Sequence, residues 1–213
     1  MALVGLIGFA GSGKGTAADI LVEKMGYHKL SFADTLKDAT AIIFGWERAL
    51  LEGDTKESRE FRECPDPFWT EKFGRPFTPR EALQKMGTEA GRDVFHEDLW
   101  IYTLEHKLEK YPNVVIADVR FQNEIAFIRK KGGSIIRVKR GEEPEWYDTA
   151  LAENSGREPE AMVMKYPFIH YSEWAWIGTP TDYLIHNEGS VHELEVNMKY
   201  ALTVLQGPVK IPA

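Results

Sequence analysis

Gly8-Phe9-Ala10-Gly11-Ser12-Gly13-Lys14-Gly15-Thr16 is the stretch whose reading decides the fold. It fits G-x-x-x-x-G-K through Lys14, with Gly15 where Ser or Thr usually stands and Thr16 one residue later. Glycines let the backbone curl until successive N–H groups point inward. A helix starting behind them adds its positive end, so the loop becomes an anion cradle with no net charge requirement. Lys14 is then placed to reach the β and γ phosphates of a nucleoside triphosphate. The motif has the context it needs. Residues 3–8 form a short apolar run bounded by glycines, as in a strand buried on both faces of a parallel sheet. From Lys14 onward, Ala17, Ala18, Ile20, Leu21 and Met25 supply one apolar helical face, and Gly26 closes it.

Outward from this unit, strands and helices alternate. Residues 27–32 read as a second strand and 34–44 as a helix with Asp34 as its candidate cap. Residues 46–78 are acidic, aromatic and punctuated by Pro65, Pro67, Gly74 and Pro76, which predicts an inserted lid or substrate-side segment instead of a core element. A helix starts at Thr78-Pro79, where Thr caps and Pro takes the first helical position, and another spans 98–110. Residues 113–119 are the clearest strand, an apolar run that ends on Asp118. A helix over 121–131 is stopped by Gly132-Gly133, and 134–138 is a further strand. Residues 140–176 show little clean periodicity and predict a long mobile excursion. A last strand at 182–186 and a helix at 190–205 follow, and the tail from Gly207 reads as a frayed terminus. This alternation implies an α/β fold: a parallel β-sheet flanked by helices on both faces.

With 213 residues, 43% hydrophobic and 12% aromatic, the chain can bury one α/β core with insertions. A formal net charge of −7 argues against a nucleic-acid polymer as partner, since that needs a phosphate-neutralising surface, whereas a small anion needs only a local positive pocket. Cys64 is the only cysteine, so there is no intrachain disulfide and no cysteine-rich metal site. A reducing cytoplasm fits. The apolar start lacks a basic leader and runs into the glycine loop instead of a cleavage site, and no apolar run reaches membrane-spanning length.

Asp118 ends the strongest strand, and in open α/β sheets ligands gather at the carboxyl ends of strands. A carboxylate there can hold a metal-bound water, and Arg120 can neutralise an acceptor phosphate. Equally, Asp118 can cap the helix that begins near Phe121; the two readings are compatible. Phosphoryl transfer needs converging positive groups more than covalent chemistry, and Lys37, Arg80, Arg92, Arg120, Arg140 and Arg157 are the candidates. Arg80, Gln84, Thr88 and Arg92 recur every four residues, hence on one helical face, either a solvated face or one that reads a phosphate and a base edge. His170 has no partner pattern for metal binding, and Trp100 reads as core packing before base stacking.

The Gly-Lys-Gly-Thr ending of the loop resembles that of adenylate kinase and related nucleoside monophosphate kinases. Five further blocks follow in order: Phe32-Ala33-Asp34-Thr35-Leu36-Lys37, Arg80 through Glu89, Trp100, Asp118-Val119-Arg120, and His170-Tyr171-Ser172-Glu173. Together with Asn187-Glu188-Gly189-Ser190, they resemble the bacteriophage deoxynucleoside monophosphate kinases over nearly the whole chain. The resemblance implies a single P-loop kinase domain over 1–213, with an acceptor-side segment at 46–95 and a lid-like segment at 140–176. It implies an enzyme that uses ATP and Mg²⁺ to phosphorylate a deoxynucleoside monophosphate, with a small nucleotide as its partner, working in the host cytoplasm if phage-encoded, and compatible with a homodimer. On this basis Lys14, Asp118 and Arg120 are the catalytic group, with Thr16 and Asp118 for the metal. Gly11, Ser12, Gly13, Lys14, Gly15, Thr16, Arg140, Asn187 and Gly189 would serve the triphosphate. Asp34, Lys37, Arg80, Gln84, Thr88, Arg92, Arg120 and His170 would serve the acceptor. The animal type of phosphomevalonate kinase shares the loop and an Asp-x-Arg after a strand, and is the nearest rival. A guanine-gated switch is a more distant one, because no Asn-Lys-x-Asp occurs.

Overall fold

A computed structural model describes residues 2–206, so the tail from Gly207 lies outside the described residues. From the start, β1 (Ala2–Ile7) leads through the glycine loop into α1 (Lys14–Met25), then β2 (His28–Leu30) and α2 (Asp34–Phe44). A 3-10 turn, Arg48–Leu51, precedes α3 (Lys56–Glu63), α4 (Pro67–Phe73) and α5 (Pro79–Lys85), and a π-helix, Met86–Phe95, leads to α6 (Leu99–Leu108). The remainder is β3 (Asn113–Ile116), α7 (Gln122–Lys130), β4 (Ser134–Lys139), α8 (Tyr147–Asn154), α9 (Ala161–Lys165), a 3-10 turn at Tyr171–Glu173, β5 (Tyr183–His186) and α10 (Val191–Gln206). Two compact units result: Met1–Leu30 with Lys110–Ala213, and Ser31–Glu109.

The first unit is built on a five-stranded sheet, order β2-β3-β1-β4-β5, every pairing parallel. β1 lies at its centre, with Leu3 opposite Val114 and Gly5 opposite Ile135, which is why its residues are apolar without alternation. On one face Val4, Leu6, Ile136 and Val138 pack against Ala18 and Leu21 of α1 and Leu194 and Met198 of α10. On the other, α7 lies close because residue 5 is glycine: a Cβ there would meet Ile128 Cδ1 at 2.7 Å. Each fully buried Leu or Ile contributes about 1.5–3 kcal/mol of transfer free energy, so this two-sided layer is the main source of the unit's cohesion.

Two expectations for this unit are corrected. The strand expected over 113–119 stops at Ile116, so Asp118 stands two residues past its end, in the connection to α7. The expected irregular excursion over 140–176 contains α8, α9 and a 3-10 turn. Their periodicity is faint because each is short and anchored by small or single side chains, such as Ala150, Ala161 and Met162, while Trp174 through Ile177 are buried.

The second unit has its own aromatic core. Phe44 stacks on Trp46 at 4.7 Å, Trp69 Nε1 donates to the Phe44 carbonyl (3.0 Å), and Trp46 Nε1 donates to Asp66 (2.8 Å). Residues 46–78, expected to stand apart from any core, therefore carry α3 and α4 and contribute Trp46, Trp69 and buried Phe77 to this one. Local capping matches the sequence: Thr78 Oγ1 accepts from Glu81 N–H (3.1 Å) ahead of Pro79, and Asp66 accepts from Trp69 N–H (2.9 Å) ahead of Pro67. Asp34 is not the cap of α2. Ala33 occupies that position, and Asp34, the first helical residue, reaches back to accept from Ser31 N–H (3.1 Å). Trp100 is core: it is 7% exposed and its Nε1 donates to the Gly87 carbonyl (2.8 Å).

Candidate active site

The glycine loop leaves β1 at its carboxyl end and closes at Lys14, the first residue of α1. Gly13 has φ 99°, and a Cβ on it would strike Asn187 Nδ2; Gly8 has φ 141°, and a Cβ on it would strike the Val138 carbonyl oxygen. Both positions therefore require glycine for conformation and for space. Asn187, buried after β5, donates from Nδ2 to the Ser12 carbonyl (2.9 Å) and holds the loop from behind. A Cβ at Gly15 would meet open space, and Thr16 is exposed.

Lys14 Nζ donates to the carbonyls of Gly8 (2.7 Å) and Phe9 (2.8 Å), curling over the loop. Burial, and then the nearby Arg120 guanidinium, push its pKa down to about 8; Glu173 and Asp118 pull the other way. A cation held with its charge disfavoured is one that an incoming polyanion would relieve. Ser12 Oγ is buried with no hydrogen-bond partner in the described structure. A glycine cradle, a desolvated ammonium and an unpaired buried hydroxyl fit a nucleotide's phosphate chain.

Asp118 and Arg120 lie between β3 and α7. Neither is the cap of α7: Phe121 holds that position, and buried Glu124, the third helical residue, folds back so that its Oε2 accepts from the backbone N–H of Arg120 (2.8 Å) and Phe121 (3.1 Å). That corrects the alternative reading of Asp118 as a cap. Arg120 Nη1 donates to Glu173 Oε1 (2.6 Å) and Ser172 Oγ (3.3 Å). Lys14, Asp118 and Arg120 thus form one electrostatic group, with Glu173 as a fourth member that the sequence shows only as part of a motif. His170 Nδ1 is engaged with Ser172, at the N-terminus of the 3-10 turn. Arg140 is exposed just past β4, Arg157 donates to Ser155 Oγ (2.9 Å), and Gly189 lies in the turn before α10.

In the second unit, Lys37 pairs with Glu52 (2.6 Å), while Arg48 contacts Asp38 (2.7 Å) and Asp34 (3.6 Å). Arg80 is ion-paired with Glu63, and Arg92 donates to the Glu97 carbonyl (2.9 Å). The four-residue series does not lie on one α-helical face. Arg80 and Gln84 are on α5, but Thr88 and Arg92 are on the π-helix, whose wider i→i+5 turns change the periodicity at Met86.

Among the described residues, no three His, Cys, Asp or Glu side chains converge as a metal cage, and no helix is long and apolar enough to cross a membrane. A metal here would share its shell with phosphate oxygens, as Mg²⁺ commonly does.

Sheet order and loop together define the class, a P-loop phosphotransferase with a P-loop kinase fold. No family model matches the chain. A protein of Acanthamoeba polyphaga mimivirus, named provisionally a deoxynucleotide monophosphate kinase, is 39% identical across 66% of this chain and 75% of its own length. The deoxynucleoside-5'-monophosphate kinase of Escherichia phage T5 is 30% identical across 60% of this chain and 72% of its own. The chain belongs to the deoxynucleoside monophosphate kinase family. Solved structures with similar outlines include TT1252 from Thermus thermophilus (20% identity, 97% of this chain and 98% of that one, TM-score 0.48) and shikimate kinase from Aquifex aeolicus (15% identity, 96% and 99%, TM-score 0.45).

Proposed function

We propose that this deoxynucleoside monophosphate kinase transfers the γ-phosphoryl group of ATP to the 5'-phosphate of a deoxynucleoside monophosphate, giving the diphosphate and ADP. A phosphate oxygen of the acceptor forms the new P–O bond as the bond from the γ-phosphorus to the β–γ bridging oxygen breaks. The observation that carries the reading is the grouping of Lys14, Asp118 and Arg120 beside the glycine loop. Lys14 would exchange the Gly8 and Phe9 carbonyls for phosphate oxygens and oppose charge developing between β and γ. Arg120 would orient the acceptor phosphate through its two-pronged guanidinium. Asp118 and Thr16 would hold Mg²⁺, directly or through water, and when bound the ion neutralises phosphate charge and aligns the oxygens.

The loop amides from Gly11 to Thr16 would carry the triphosphate, with Arg140 alongside. A cavity of about 360 Å³ lined by His186, Asn187, Gly189, Glu193 and Leu194 would take the donor's base. Asp34, Lys37, Arg80, Gln84, Thr88, Arg92 and His170 would recognise the acceptor. Segment 46–95 is the acceptor side, and 140–176, within which 155–170 is largely exposed, would cover the donor and exclude water. The setting is a cytoplasm, that of the host if the chain is phage-encoded, and the partner a free nucleotide instead of a nucleic-acid polymer. Light scattering would assign monomer or homodimer.

An ADP-release assay with ATP, Mg²⁺ and each of the deoxynucleoside monophosphates, with phosphomevalonate as a competing acceptor, tests the reading. Turnover with one or more deoxynucleotides is expected. Turnover with phosphomevalonate alone would replace it.

A further inference from the structure

We propose that residues 171–177 tie the phosphate loop to Arg120, with Glu173 and Trp176 as positioning residues for phosphoryl transfer. This deepens the proposed function and rests on Arg120 being the acceptor's phosphate ligand. One end of the tie is Glu173, whose carboxylate and the neighbouring Ser172 hydroxyl both receive Arg120 Nη1. The other end is Trp176. Its ring lies 5.0 Å from that of Phe9, within the glycine loop, and the Phe9 carbonyl is one of the two that accept from Lys14 Nζ. The two ends are joined directly, because Trp176 Nε1 donates to the backbone carbonyl of Glu173 (3.1 Å).

The connecting turn is itself fixed. Trp174, Ala175, Trp176 and Ile177 are buried, and the Asn154 side chain donates to the carbonyls of both Trp174 (3.0 Å) and Ile177 (2.9 Å). Trp146 closes on Phe9 edge to face at 5.3 Å, and the Arg137 guanidinium lies 5.0 Å over the Trp176 ring. A displacement of the loop is therefore transmitted to Arg120 through a single short turn.

The Arg120–Glu173 pair is half-exposed, with side chains 46% and 38% accessible, so it adds little to stability. Its effect is geometric. Both hydrogen bonds leave from Nη1, so the Nε–Nη2 edge of the fork is the one assigned to the acceptor's phosphate. Phosphoryl transfer is sensitive to such placement, since a misalignment of about 1 Å can cost on the order of a hundredfold in rate.

The test is a two-substrate kinetic matrix on Glu173→Gln, Glu173→Asp and Trp176→Phe, with circular dichroism as a fold check and ¹⁵N NMR of the Arg120 guanidinium, assigned by comparison with Arg120→Lys. Glu173→Gln is expected to raise the acceptor KM about fivefold and lower kcat about tenfold, with the ATP KM within about twofold. Glu173→Asp should recover part of both. Trp176→Phe keeps an aromatic ring against Phe9, though a smaller one, and loses the N–H, so it should shift both in the same direction by less. In the NMR arm, the Arg120 Nη1 proton should exchange slowly in the unmutated protein and be lost to exchange in Glu173→Gln. An unchanged or lowered acceptor KM in a folded Glu173→Gln variant would overturn the proposal, as would an unaltered guanidinium signal. Because the NMR arm needs no turnover, a protein that phosphorylated no deoxynucleotide would refute the functional reading alone.

Discussion

Lys14 carries the clearest consequence for pH. Its pKa falls from 10.5 to about 8 on folding, chiefly through burial. Between those values the unfolded chain holds a proton that the folded chain has released, so this group makes stability rise with pH across that window. Lys14→Met should flatten that part of a melting-temperature profile taken from pH 7.5 to 10.5. In the unliganded enzyme the ammonium is lost as pH rises past about 8, so kcat/KM for ATP should decline there. A profile flat to pH 10 would show that another cation does this work. Asn187 offers a second residue-level test. Its Nδ2 faces the Ser12 carbonyl, and Asn187→Asp would set an acceptor against an acceptor, costing about 2 kcal/mol and loosening the loop. A raised ATP KM with the acceptor KM nearly unchanged is expected from initial-rate kinetics.

Among the elements, α7 depends on one buried carboxylate. Glu124→Ala would leave the N–H groups of Arg120 and Phe121 without their acceptor, at a cost of about 2 kcal/mol, to be read as a lower urea midpoint with unchanged slope. The same change frees the backbone at Arg120, so kcat should fall even where the variant is fully folded. The π-helix is also sensitive: a Cβ at Gly91 would meet Trp100 Cζ2 at 2.6 Å, and Gly91→Ala should destabilise by about 1–3 kcal/mol in the same titration. These elements differ in how openly the sequence announces them. β1, the glycine loop and α1 are legible because one apolar run, three loop glycines and a closing Gly26 are all local signals. Thr78-Pro79 is legible for the same reason. The π-helix is not, since 86–95 carries no residue type reserved for that geometry, and neither are α8 and α9, whose side chains find their partners only in the folded chain. The candidate site divides likewise. Lys14 follows from its motif, and the Asp118–Arg120 pair from a strand that the sequence carries two residues too far. The role of Glu124 as acceptor for the N–H groups ahead of α7 and of Asn187 as support for a loop 175 residues away in sequence depends on tertiary structure.

At the scale of the molecule, the proposed donor residues belong to the first unit and most of the proposed acceptor residues to the second. Hydrogen exchange should divide accordingly: a non-hydrolysable ATP analogue protecting 8–16 and 185–190, a deoxynucleoside monophosphate protecting 79–95. Protection of 79–95 by the ATP analogue alone would contradict the assignment. The second unit is also one unbroken stretch, Ser31–Glu109, set between β2 and β3. In genetic terms it is a cassette. Two recombination events, one on either side of it, would replace every residue proposed for the acceptor from Asp34 to Arg92 while leaving the glycine loop, Asp118 and Arg120 in their original reading frame. Exchange of such blocks between related genomes could change which nucleotide is taken without reinventing the chemistry that phosphorylates it.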